Sequence, residues 1–166
     1  LENGSPDPAF ELNAPHLKGA TILVTRNNFG CGSSREHAVW AVVQYGFRVV
    51  IAPSRTQESS RIPAFADIFK NNSVKNGLLT VELTESDVET IFQQTARNKG
   101  LQAIVDLPKQ QVTLNLASPV SFHFDIDAGV KDYLMKGLDD IGQTMRHLDE
   151  IQAFEKKHNL QMPNRR

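Results

Sequence analysis

Cysteine is the scarcest reactive residue in this sequence: Cys31 stands alone among 166 residues. One thiol forms no internal disulfide, so nothing here speaks for an oxidising compartment. Nor can one thiol hold an iron–sulfur cluster, which takes about three or four thiolates. Any cluster chemistry therefore belongs to another chain. Long apolar runs are missing as well. None approaches the roughly 20 residues of a membrane-spanning helix, and no signal-peptide pattern opens the chain. The expected setting is the cytoplasm, with no membrane partner. An excess of one charge is also absent. The formal net charge of −1 gives no electrostatic footing for a nucleic-acid partner. What is present is ordinary for a folded protein: 40% hydrophobic and 22% charged residues, enough for one domain around one core.

Residues 1–19 contain three of the eight prolines and little hydrophobic period, and they read as an irregular arm. The chain begins at Leu1 without an initiator Met, which reads as part of a longer polypeptide. From Ala20 to Thr25 a β-branched apolar run predicts a buried strand. A loop with two Asn and two Gly follows, and Ser33 and Ser34 stand where a helix N-cap belongs. Ala38, Val39, Trp40, Val42 and Val43 supply a helical face, Gly46 a stop, and Arg48 to Ala52 a second strand ending at Pro53. Strand, loop, helix and strand make a βαβ unit.

Residues 54–64 are polar and aperiodic, and a surface loop is expected. Phe65 to Phe69 predicts one or two helical turns, and Gly77 to Leu83 a strand. Thr84 with Asp87 predicts a capped helix to Asn98. Three strand-like runs follow, at 103–107, 111–116 and 120–126, and helical spacing then runs from Ala128 to about His158. The reading is a single α/β domain over 20–158 with a mixed sheet and flanking helices, then a tail over 159–166.

The chemistry concentrates in Asn28-Phe29-Gly30-Cys31-Gly32-Ser33-Ser34-Arg35-Glu36-His37-Ala38. Gly30 and Gly32 allow a tight turn and a close approach of backbone to ligand. The helix expected near Ser34 aims free amides and its positive dipole end at the loop, which attracts anions. Arg35 adds a fork matched to a carboxylate, and two serines add hydroxyls. Together they predict a small carboxylate or phosphate pocket at the end of a strand. A Walker Lys and the full dinucleotide glycine spacing are both missing, so nucleotide loops are discounted. Cys31 is the rival nucleophile, although a lone Cys is more often a small buried residue. His37 reads as a hydrogen-bonded structural residue. His16, His123, His147 and His158 show no metal-ligand spacing, and Asp139, Asp140, Asp149 and Glu150 read as a solvated helix face.

The run from Gly32 to Ala38 resembles the signature of the swivelling domain of the aconitase superfamily. A wider match adds Tyr45-Gly46-Phe47, Val50 to Ser54, Phe65 to Phe69 and Gly137 to Gly142, covering about residues 10–155. It is similar to the small-subunit family of the bacterial 3-isopropylmalate dehydratases. That resemblance implies a β/β/α swivelling domain like the fourth domain of aconitase. It implies a large subunit that carries a 4Fe–4S cluster, with none on this chain, and a small dicarboxylate substrate. It implies Ser33 as catalytic base, Ser34 as a substrate hydrogen-bonding residue, and Arg35 as carboxylate clamp in the Gly30–Gly32 loop. The reaction implied is dehydration of 2-isopropylmalate and rehydration to its 3-isomer in leucine biosynthesis, active only with the large subunit. Homoaconitase-like and citraconate-type small subunits share the signature. A non-catalytic dicarboxylate-binding module is the alternative of another class, and the Ser-Ser-Arg triplet argues against it because a sensor needs no base. Two departures stand out. The family's N-terminal region with its specificity loop has no counterpart, and residues 55–64 are an insert.

Overall fold

The computed structural model describes residues 5, 7–32, 35–57, 60–137 and 140–158. Its centre is a parallel sheet of β1 (Ile22–Val24), β2 (Val49–Pro53) and β5 (Leu79–Leu83), in the order β1-β2-β5. β2 is the middle strand, and Val50, Ile51 and Ala52 are all buried, as a strand covered on both faces requires. Alternation along it divides the core. Ile51 joins Val81, Val88, Ile91, Val112 and Phe124 on one side, while Val50 and Ala52 join Val39, Phe65, Phe69 and Leu78 on the other.

The second group belongs to α1 (His37–Tyr45) and α2 (Asp67–Lys75). The first belongs to α3 (Glu85–Arg97) and an antiparallel sheet of β6 (Ala103–Asp106), β7 (Gln111–Leu114) and β8 (Val120–His123). Helices, parallel sheet and antiparallel sheet form the expected β/β/α layering. The parallel and antiparallel strands occupy separate sheets. Parallel neighbours need long crossovers, which α1 and α2 provide, whereas turns of a few residues join β6, β7 and β8.

Two helix ends form as the sequence predicts. Thr84 accepts the amide of Asp87 at 3.1 Å, and Gly46 ends α1 at φ +123°. Three elements differ from expectation. The polar 54–64 stretch contains a hairpin, β3 (Arg55–Gln57) against β4 (Ser60–Ile62). Arg55, Thr56 and Arg61 are exposed, so no buried face printed an alternation into the sequence. Ion pairs Arg61–Glu82 and Arg55–Glu85 tie the hairpin to β5 and α3. Helix α2 runs to Lys75, well past Phe69, because Ser73 and Asn76 bond back to carbonyls of its own turns. The C-terminal helical stretch is three helices, α4 (Ala128–Lys136), α5 (Asp140–Met145) and α6 (Leu148–His158). Gly137 breaks it in the left-handed region at φ +61°. Residues 11–17 of the arm form two 3-10 turns, which the Tyr45 hydroxyl holds through the carbonyl of Leu12 at 2.6 Å. No helix among the described residues is long and apolar enough to cross a membrane.

Candidate active-site loop

Because β1, β2 and β5 run parallel, their C-terminal ends open on one edge, and the loop after β1 starts there. Thr25 donates its amide to Ile51 O at 2.8 Å, so the chain leaves the sheet still anchored to β2. The loop then docks on the segment leading into α2. Asn28 and Phe29 donate amides to Pro63 O and Ala64 O at 2.8 and 2.9 Å, and Ala66 returns one to Phe29 O at 2.9 Å. The Phe29 ring meets Phe69 edge-on at 5.1 Å.

Gly30 follows at φ +86°. A Cβ there would overlap the Cβ and Cγ of Phe69, so both backbone angle and packing demand glycine. Gly32 is different. Nothing lies within 4 Å of where its Cβ would stand, and its φ is not in the left-handed region. The two loop glycines, alike in sequence, have different reasons to exist.

Cys31 and Gly32 are exposed, and the Cys31 amide closes the turn on Asn28 O at 3.3 Å. Ser33 and Ser34 lie outside the described residues. Arg35 is exposed, and its side chain makes no hydrogen bond or ion pair among the described residues. The contrast with its neighbours at the same edge is sharp, since Arg26, Arg55 and Arg61 each pair with a glutamate: Glu89, Glu85 and Glu82.

The helix begins later than the serines predicted. Its N-cap is Glu36, and its first residue is His37. The amides of Ala38 and Val39 are taken by Arg35 O at 3.2 Å and Glu36 O at 2.9 Å. The anion-attracting terminus is therefore narrower than a helix starting at Ser34 would offer. Instead of capping, the Glu36 carboxylate accepts the side-chain amide of Asn76 at 3.0 Å. That partner sits 40 residues away, and no local pattern announces it.

His37 is exposed, rests on Trp40 at 4.6 Å, and makes no hydrogen bond among the described residues. The expectation of a hydrogen-bonded histidine fails because its helix position faces solvent. Trp40, assigned to the apolar face, is 40% exposed for the same reason, and Val39 takes the buried place. His123 and His147 are exposed beside Asp125 and Glu150. Among the described residues no three His, Cys, Asp or Glu groups gather as metal ligands. Among the described residues the one clear titration shift lies far along the chain. The Lys109 amide bonded to the Asp106 carboxylate at 2.9 Å holds that group below its ordinary value.

Comparisons with known proteins meet the loop from outside. Residues 2–86 match the aconitase C-terminal domain family, and residues 140–164 match the C-terminal domain family of the 3-isopropylmalate dehydratase small subunit. The 3-isopropylmalate dehydratase small subunit of Desulforapulum autotrophicum is 53% identical over 163 residues, 98% of this chain and 76% of that protein. The protein of the same name from Paenibacillus polymyxa is 47% identical over 156 residues, covering 94% of this chain and 81% of its own length. A crystal structure of 3-isopropylmalate dehydratase from Methanocaldococcus jannaschii superposes with a TM-score of 0.53 at 23% identity. The match covers 82% of this chain and 68% of that one, a likeness of fold.

Proposed function

The chain belongs to the 3-isopropylmalate dehydratase small-subunit family, and on that premise we propose that residues 30–35 are its share of the active site. The family's enzyme is a lyase of leucine biosynthesis, and this chain is its small subunit. The observation that carries the site reading is Arg35, an exposed guanidinium without a carboxylate among the described residues, whereas Arg26, Arg55 and Arg61 each have one. A substrate carboxylate completes it, held by two parallel charged hydrogen bonds.

Ser33, two residues earlier, takes the proton from the substrate carbon adjacent to the one that loses hydroxyl. Ser34 hydrogen-bonds the substrate. A serine is a weak base unless nearby dipoles stabilise its alkoxide, and the start of α1 with the Arg35 charge supplies part of that field. That proton and the neighbouring hydroxyl leave together as water to give the alkene, and water adds back with its proton on the carbon that lost the hydroxyl and its hydroxyl on the carbon that lost the proton, which gives the isomer. Cys31 is the only cysteine, so the residues present cannot hold a 4Fe–4S cluster. We assign the cluster to the large subunit. The cytoplasm is the setting we propose for the assembly.

The test uses the chain alone and the chain mixed with its large subunit. Alone it is colourless and leaves 3-isopropylmalate unchanged. Mixed, it converts 3-isopropylmalate to the conjugated alkene, read by ultraviolet absorbance. Turnover by the chain alone, without second protein or metal, would overturn this assignment. An assembly inert on isopropylmalate but active on a homoaconitate or citraconate-type substrate would move it to that branch.

A further inference from the structure

Helix α2 touches the loop twice, once on each side of the reactive segment. At the front, Phe29 and Gly30 lie on Phe65, Ala66 and Phe69. At the back, Glu36 accepts from the Asn76 side chain at 3.0 Å. We propose that α2 fixes both ends of the active-site loop, at Phe29–Gly30 and at Glu36, with Asn76 acting as a positioning residue for Arg35 through Glu36. The proposal rests on the reading of Ser33, Ser34 and Arg35 given above.

The geometry of the helix makes the two clamps a matched pair. Phe69 and Asn76 are seven positions apart, close to two full turns at about 3.6 residues per turn, so they share one face of α2. At about 1.5 Å per residue, the clamps stand on the order of 10 Å apart along the helix. Five residues extended reach at most about 17 Å. Gly30 and Glu36, the two ends of the loop, are therefore tied to one rigid ruler.

Asn76 is itself held for this task. Its side-chain nitrogen also donates to Asn72 O at 2.9 Å, and its backbone amide bonds carbonyls of the last turn of α2. With one side-chain N–H spent on the helix, the other is aimed at Glu36. The acceptor is a half-buried carboxylate, and a charged acceptor makes the stronger hydrogen bond. Glu36 directly follows Arg35, so the bond holds the backbone one residue from the proposed clamp.

A tie that only joined α1 to α2 would affect folding and nothing else, and two measurements separate the cases. The first needs no partner. A nitroxide on Cys31, the only cysteine, reports motion of the segment by electron spin resonance in the whole chain. Asn76→Ala narrows the lines relative to wild type, and Asn76→Asp, which sets two carboxylates together, narrows them further. Glu36→Gln keeps an acceptor oxygen and stays near wild type. The second is steady-state turnover of 3-isopropylmalate by each variant with the Cys31 thiol unlabelled, assembled with the large subunit. Asn76→Ala lowers kcat about tenfold while KM moves about twofold or less, the mark of a misplaced reacting group. Glu36→Gln stays within about twofold, and Glu36→Ala combined with Asn76→Ala is no worse than either alone.

Unchanged lines in Asn76→Ala would refute the clamp. Narrowed lines with normal kcat would refute its role in positioning, as would a loss of kcat that merely follows loss of folding or assembly. Wild-type assembly without turnover sinks the dehydratase reading and the catalytic part of this proposal with it, while the clamp stands or falls on the spectra.

Discussion

Residues 28–30 lie next to Cys31, Gly32 and Arg35 in the chain, yet the two groups live in opposite environments. The first three are stitched to Pro63, Ala64 and Ala66 by backbone hydrogen bonds and packed on Phe69. Cys31, Gly32 and Arg35 of the second group are exposed, and Arg35 has no partner among the described residues. The packed half carries no chemistry of its own; it gives the open half a fixed origin. A reactive group placed to within a fraction of an ångström is worth orders of magnitude in rate, and only a buried neighbour can hold it there. The difference teaches where a substitution acts: on folding in the first half, on turnover in the second.

The sharpest test of this division is Gly30→Val. Its side chain overlaps Phe69 in a left-handed backbone conformation, so it should destabilise by about 3 kcal/mol or more. Thermal melting of the isolated chain reads that directly. Next is Ser33→Ala. It should cut turnover by roughly 100-fold or more, about 2.7 kcal/mol, with the melting temperature unchanged. A variant that melts early instead would erase the contrast between the halves. Arg35→Lys follows, with a loss of roughly 30-fold or more in kcat/KM, since a point charge does not replace a fork. Near-normal efficiency would show that Arg35 only solvates the start of α1. The smallest effects belong to Cys31→Ala and Gly32→Ala. Each should stay within about 0.5 kcal/mol in stability, as surface changes do. Cys31→Ala should also turn over at close to the wild-type rate. A dead Cys31→Ala beside a normal Ser33→Ala would turn the loop into a thiol site.

How far the sequence could be read depended on whether a residue's reason was local. Thr84 and Gly46 act within one helical turn of themselves, and both were legible. The apolar run of β2 was legible because burial on both faces leaves it no polar alternation. The β3–β4 hairpin was not, since its exposed residues carry no period and its anchors, Glu82 and Glu85, lie on other elements. The start of α1 was misplaced for a related reason. Two serines resemble a cap, but the turn actually begins with Arg35 and Glu36 carbonyls, and Glu36 is held by a residue at the end of α2. Nothing in the spacing of Gly30 and Gly32 distinguished the crowded glycine from the open one.

The sequence by itself determined the βαβ start, the single cysteine and the family signature, and through that resemblance the β/β/α layering was expected. Each of these follows from residue type, period or a contiguous string. The tertiary structure alone decided that residues 28–30 dock on the segment leading into α2, that Gly30 and not Gly32 is sterically compelled, and that among the described residues Arg35 makes no ion pair while Arg26, Arg55 and Arg61 each make one. Those facts depend on contacts between segments far apart in the chain, and a one-dimensional pattern carries no record of which distant side chain a loop will meet.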